Sequence, residues 1–187
     1  MSDDDERHAE HRRIQRIDAA FRAGDLAALR AAVDDPAFPN GVMPLAIGPC
    51  LEYAIYWSPL AFVQTLLELG ADPNPADHAG FPPLIAALSC SRPRPGAPAR
   101  SDVAALLRLL LAFGAEPNQR GVNDWTALHM AVVEGNRDAI PILLAAGADP
   151  TLRTRIDECE TARELADRAG DDVMIALLAP RRGAGAT

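Results

Sequence analysis

The chain contains no lysine: all 18 of its bases are arginine, set against 26 acids, for a formal charge of −8. Aromatic residues make up only 5 % of it, and the three cysteines, Cys50, Cys90 and Cys159, form no CxxC pair. An odd, widely spaced set of this kind excludes a disulfide framework. No run approaches 18 apolar residues, and the N-terminal MSDDDERHAEHRR lacks an apolar core, so neither a membrane helix nor a secretory leader is expected. Phosphate-cradling glycine motifs (GxGxxG, GxxxxGK[ST]) are missing, as are a nucleophile-elbow serine and a calcium loop of EF-hand spacing. An acidic chain read as lacking clustered bases argues against nucleic acid, because neutralising phosphates takes grouped Lys and Arg. Catalytic, cofactor-binding and metal-ligating residues are all expected to be absent.

What is present is a period. The stretch TALHMAVVEGNRDAIPILLAAGADP (126–150) reads as helix, turn, helix and extended arm. Ala127, Leu128, Ala131 and Val132 form one apolar stripe; Ile140, Leu143 and Leu144 form another, with Gly135 between them and Gly147 at the end. Two short helices cannot bury both stripes alone and need similar neighbours. Anchored at Thr126, the same pattern recurs from Gln15, Pro49, Pro82 and Thr161, with Gly-Ala-Asp/Glu-Pro returning at Gly70 and Gly114. The anchors lie 34, 33, 44 and 35 residues apart, and the 44 is 33 plus an 11-residue insertion. Five units of about 33 residues predict an all-α solenoid of helix-turn-helix repeats with short β-hairpin arms.

At Thr126, Leu128, His129, Ala131, Gly135, Ile140, Leu143, Leu144, Gly147, Ala148 and Asp149 the chain resembles the ankyrin-repeat family. The likeness spans roughly residues 12–179. Cys50 and Glu52 stand where that family has Pro and His, Ile85 replaces another His, and the first unit lacks its terminal Gly. The resemblance implies a non-catalytic protein-interaction module that binds through hairpin tips and the concave ends of the first helices. It also implies that His129 and Thr126 tie arm to helix rather than catalyse.

In order, residues 1–11 are expected as a flexible acidic tail. The units fall at roughly 12–40, 41–74, 75–118, 119–151 and 152–179, and 180–187 is a second flexible tail. Asp25 is placed to cap the second helix, and the Pro-bearing linker from Asp34 reads as extended. Pro59 suits a first helical turn. Pro141 is expected to bend its helix mildly. The Pro- and Arg-rich insertion, 89–100, is expected as surface loop. The polar fifth unit reads as a C-terminal cap.

Large residues at variable offsets mark the candidate surface: Tyr56, Trp57, Phe81, Trp125, Val133 and Glu134, with Asp77, His78, Asn123 and Asp124 as a polar rim. The expected partner is another protein, basic to match the acidic balance, with no nucleic acid and no membrane. The chain is expected to be cytoplasmic, monomeric when unbound, and, from its all-arginine usage, bacterial, with an immunity- or inhibitor-type role as one form of the reading. Two alternatives use other residues: metal or enzyme chemistry at His8, His11 or Cys90, and a self-associating scaffold.

Overall fold

Alanine at one position of every unit sets how closely the helices stack. Ala20, Ala54, Ala87, Ala131 and Ala166 lie five residues past the five anchors, and all are buried. A side chain that small lets neighbouring helices approach closely. In the second helix of each unit, Ala32, Leu66, Leu110, Leu143 and Leu178 hold one equivalent buried position. A fully buried Leu is worth about 1.5–3 kcal/mol relative to an exposed one.

The computed structural model describes residues 3–41, 43–44, 47–75, 81–93, 95, 99–156 and 158–179. Within them run ten α-helices: α1 (Asp3–Ala23), α2 (Leu26–Val33), α3 (Cys50–Trp57), α4 (Leu60–Glu68), α5 (Pro83–Ser89), α6 (Val103–Ala112), α7 (Ala127–Val133), α8 (Ala139–Ala145), α9 (Ala162–Ala169) and α10 (Asp172–Leu177). They pair as α1/α2 through α9/α10. The odd-numbered helices touch in series from α1 to α9, and α6, α8 and α10 follow one another in the second layer. This is the solenoid the period predicts.

The arms differ from expectation. Among the described residues there is no strand, only a bridge between Arg153 and Thr161 and a 3-10 turn at Val122–Asp124. Side-chain amides hold the arms in register instead. The Asn40 amide donates to the Gly70 carbonyl (2.8 Å) and accepts from Asp72 N–H (2.9 Å). Asn74 repeats this with Gly114 and Glu116 (2.8 and 2.7 Å), and Asn118 with Gly147 and Asp149 (3.1 and 2.7 Å). Each rung satisfies a donor and an acceptor of the next unit, which is the work a β-ladder would otherwise do. In the next such place Thr151 bonds back to Asp149.

Three local expectations are corrected. α1 begins at Asp3, not near residue 12; the acidic first turn suits a helix N-terminus, and Glu10 pairs with Arg13 at 3.8 Å. Residues 36–39 coil into turns, closed by Phe38 N–H to Asp35 O and Asn40 N–H to Ala37 O, rather than running extended. Pro141 is the third residue of α8, inside the first turn where its missing N–H costs nothing, because Asn136 accepts from Ala139 N–H and starts the helix early. Asp25 does cap α2, accepting from Ala28 N–H at 2.9 Å.

Candidate partner-binding surface

Position three past the anchor decides how one unit grips the next. In the fourth unit it is His129, buried with Thr126. Its Nδ1 accepts from Thr126 N–H (3.2 Å) and meets the Thr126 hydroxyl (2.8 Å), while Nε2 faces the Glu160 carbonyl at 3.1 Å. A backbone N–H only donates and a carbonyl only accepts, so the ring is neutral with its proton on Nε2. Burial, above all, pushes its pKa below the ordinary value. In the second unit the equivalent residue is Glu52, and the next unit's equivalent backbone is Phe81. There the polarity is reversed, with Phe81 N–H donating to the Glu52 carboxylate at 3.2 Å. In the third unit the residue is Ile85, fully buried. Its counterpart Trp125 is satisfied locally, donating to Val122 O and accepting from Gly121 N–H, so no polar side chain is required.

The aromatic residues occupy three separate stations. Trp57 ends α3 beneath Arg22, whose guanidinium carbon lies 4.2 Å from the ring centroid. Arg22 is itself held, its Nε reaching both Asp18 oxygens at 2.9 Å, and Asp18 accepts from the Tyr53 hydroxyl at 2.5 Å. Partial burial opposes the Asp18 charge, but the Tyr53 and Arg22 bonds outweigh it and hold the carboxyl below its usual range. Burial and the Asp18 charge push Tyr53 up to about 12. Tyr56 beside Trp57 is half-buried against the core. Phe81 is 42 % exposed. Trp125 is half-buried with its ring 6.0 Å from that of His129. Asn123 and Asp124 both sit at positive φ in the 3-10 turn, and Arg155 N–H donates to Asn123 O. Asp77 and His78 lie outside the described residues.

The insertion supplies contacts that sequence reasoning missed. Elsewhere the turn between paired helices closes on a glycine with positive φ: Gly24, Gly135 and Gly170. Ser58 replaces it in the second unit at φ −100, and the carbonyls left at the end of α3 go to Arg100, which donates to Ile55 O (2.9 Å) and Ser58 O (2.8 Å). Asp102 grips the same guanidinium with two 2.8 Å bonds, and those bonds lower its pKa. At the other flank Arg92 donates to Val133 O (2.9 Å) and Glu134 O (3.2 Å) at the end of α7, while Asn136 donates to the Ser91 hydroxyl. The insertion root therefore caps helices in the units before and after its own. Ser89 and Cys90, the third-unit counterparts of Tyr56 and Trp57, are 4 % and 5 % exposed, and Arg100 N–H donates to Cys90 O. Val133 remains 43 % exposed, and Glu134 is drawn into an ion pair with Arg92 at 3.5 Å.

The residues of the metal or enzyme alternative are not gathered. His11 Nε2 meets the Gln15 amide at 2.9 Å on α1, whereas Cys90 is buried, with Sγ 3.3 Å from Ala86 O. No group of three or more metal-capable side chains occurs among the described residues, and none of their helices is long and apolar enough to cross a membrane.

A stack of helix pairs that bury alanine seams, with arms locked by asparagine and a Thr-x-x-His joint, defines a repeat-built interaction scaffold. The profile of ankyrin repeats, in three copies, matches residues 51–154, more than half of the chain; the chain belongs to the ankyrin-repeat family. It is 39 % identical over 109 residues to Protein PhlB of Serratia liquefaciens, covering 58 % of this chain and 43 % of that one. It is 30 % identical over 112 residues to Glycerophosphocholine phosphodiesterase gde1 of Schizosaccharomyces pombe, covering 59 % of this chain and 8 % of that one. The chain thus spans less than half the length of each of these relatives. Ankyrin repeats indicate a protein–protein interaction module.

Proposed function

We propose that this chain is a non-catalytic module whose partner protein docks across Trp57, Tyr56, Phe81 and Trp125, with Val133 as the outlying apolar contact. The observation that carries this is the Trp57 station. A large ring is kept half-exposed at a helix end and clamped by Arg22 and Asp18, although the core does not need it there. A rigid aromatic loses little entropy on being covered, which is what makes such residues binding hot spots. The acids recurring one unit apart along the arms, exposed Asp72 and Glu116 and part-buried Asp149, support the reading of a basic partner face there. An immunity- or inhibitor-type role, in which docking masks the partner, is the concrete form of this proposal.

The test is affinity capture from the native host, followed by affinity measurements with Trp57→Ala and Trp125→Ala. Loss of a hot spot weakens binding by about 2 kcal/mol, close to 30-fold. Affinity unchanged within about twofold in both variants removes this surface from consideration.

A further inference from the structure

The charge of the chain is not evenly spread. Residues 7–23 of α1 hold five Arg against two acids, a balance of +3 inside a chain whose total is −8, so the remainder stands at −11. The helix as a whole is not basic, because residues 3–6 add four acids; the bases are concentrated in its later turns. Not all five are available. Arg13 is spent on the end of α2, donating to Ala32 O (3.0 Å) and Val33 O (2.8 Å), and Arg7 is engaged elsewhere. Arg12 and Arg16 are exposed and make no bond or ion pair among the described residues. Arg22 uses only Nε on Asp18, leaving both terminal nitrogens open beside Trp57.

Helical geometry places these groups within about one third of the α1 circumference, a sector that Asp5 shares. At 100° per residue, Arg22, Gln15, Ala19, Arg12 and Arg16 follow one another around the α1 surface. Ala9, Arg12, Gln15, Arg16 and Ala19, all on α1, line a shallow open trough between side chains of this one helix. α2 and α3 pack on α1; Arg22, at one edge of this face, lies over Trp57 at the end of α3, while Arg12 and Arg16 are exposed.

We infer that this trough is a second docking surface, taking a short acidic segment of the protein partner, with carboxylates paired to Arg12, Arg16 and the free edge of Arg22. Charge complementarity carries the assignment. Guanidinium groups with open edges pair carboxylates in bidentate fashion, and alanines allow a backbone to lie close. A duplex or an anionic membrane is an extended array of charge and would also meet the −11 of the remaining chain; three cationic centres do not offset that. A short segment meets the stripe alone. The inference rests on the reading that this chain binds a protein, but not on the aromatic contacts, so the two can fail separately.

The experiment uses the full chain and a fluorescently labelled glutamate-rich peptide as probe, read by anisotropy at low and high salt. The wild type is expected to bind it saturably. Arg12→Gln/Arg16→Gln is expected to weaken it by about tenfold or more, as should added salt, because the contacts are exposed charge pairs. Both side chains are unbonded, so the melting temperature of the double variant should match the wild type. Trp57→Ala, which tests the aromatic contacts, should keep most of the peptide affinity. Four results overturn the inference: no saturable binding; equal binding by wild type and double variant; tighter Arg12- and Arg16-dependent binding to phosphatidylserine vesicles or duplex DNA; or sedimentation showing a dimer that the double variant dissolves, which would give the trough to a second copy.

Discussion

The second and fourth units solve the same two joints by different means. The fourth uses local residues: Thr126 and His129 for the grip on the next unit, and Gly135 for the turn between helices. The second has Pro49, Glu52 and Ser58 in their places, and meets each joint with a different group. Glu52 takes the backbone N–H of Phe81, where His129 takes the carbonyl of Glu160. Arg100, 42 residues from Ser58, takes the carbonyls that a glycine turn would have organised. A repeat motif is thus one solution to a set of unsatisfied backbone groups, and a distant guanidinium is another. The local solution is buried; the borrowed ones are partly wet, which sets their relative strengths.

The largest effect should follow from breaking the buried joint. His129→Ala leaves Thr126 N–H without its partner, reduces the Glu160 carbonyl to the bond from Thr154 N–H and opens a cavity, for a loss of about 2–4 kcal/mol in urea denaturation. Glu52→Ala, at the half-buried equivalent, should cost about 1 kcal/mol or less. Equal losses at the two sites would end the contrast.

Arg100→Ala should come next, at about 1.5–3 kcal/mol, since it strips the end of α3 and orphans Asp102. Arg92→Ala, at the more exposed flank, should cost less. If Arg100→Ala lies within about 0.5 kcal/mol of wild type, the insertion root is not a brace.

A pH series separates the joints again. The unfolded chain protonates His129 as pH falls through its ordinary 6.5, whereas the folded chain resists, because burial has lowered the pKa. Stability is therefore full above that value and declines as pH drops below it, until the folded pKa is passed. Asp18 and Asp102, whose folded values lie below 3.8, add their own loss only at still lower pH. Urea midpoints at pH 7.5 and 5.5 should differ for the wild type and converge in His129→Ala.

The smallest effect is at Ser58, whose hydroxyl is buried without a partner. Ser58→Ala keeps the φ of −100, which any residue adopts, and should be neutral or stabilising by up to about 1 kcal/mol in thermal melts. A clear destabilisation would mean that the hydroxyl is bonded through water.

The helices were legible because period and burial are the same signal: the leucines and alanines at fixed offsets are the residues the stack conceals. The joint at Thr126 and His129 was legible through the family resemblance, which assigns these two positions to tie arm to helix. Arg13, Arg92 and Arg100 were not, since each reaches a carbonyl 19 to 45 residues away. Composition shows that an arginine is present, not which helix end has been left open. One clue did exist at Ser58, a turn without its glycine, which announced unsatisfied carbonyls nearby. The insertion was read as surface loop because prolines forbid a helix, which says nothing about its anchored flanks. Among the site residues, offsets located Trp57 and Phe81, but the Arg22 clamp depends on α1 lying against α3.

The asparagine rungs also bear on how such a chain can be lengthened. Asn40, Asn74 and Asn118 each reach forward to the Gly and the acid of the following unit, so every unit carries the receptor for its successor. Thr151 has turned inward to Asp149. A copy of the fourth unit spliced in after itself would bring the right Gly147 and Asp149 but meet a hydroxyl in place of the amide. Extension at that point therefore requires Thr151→Asn. The stack has a direction of growth, and one side chain closes it.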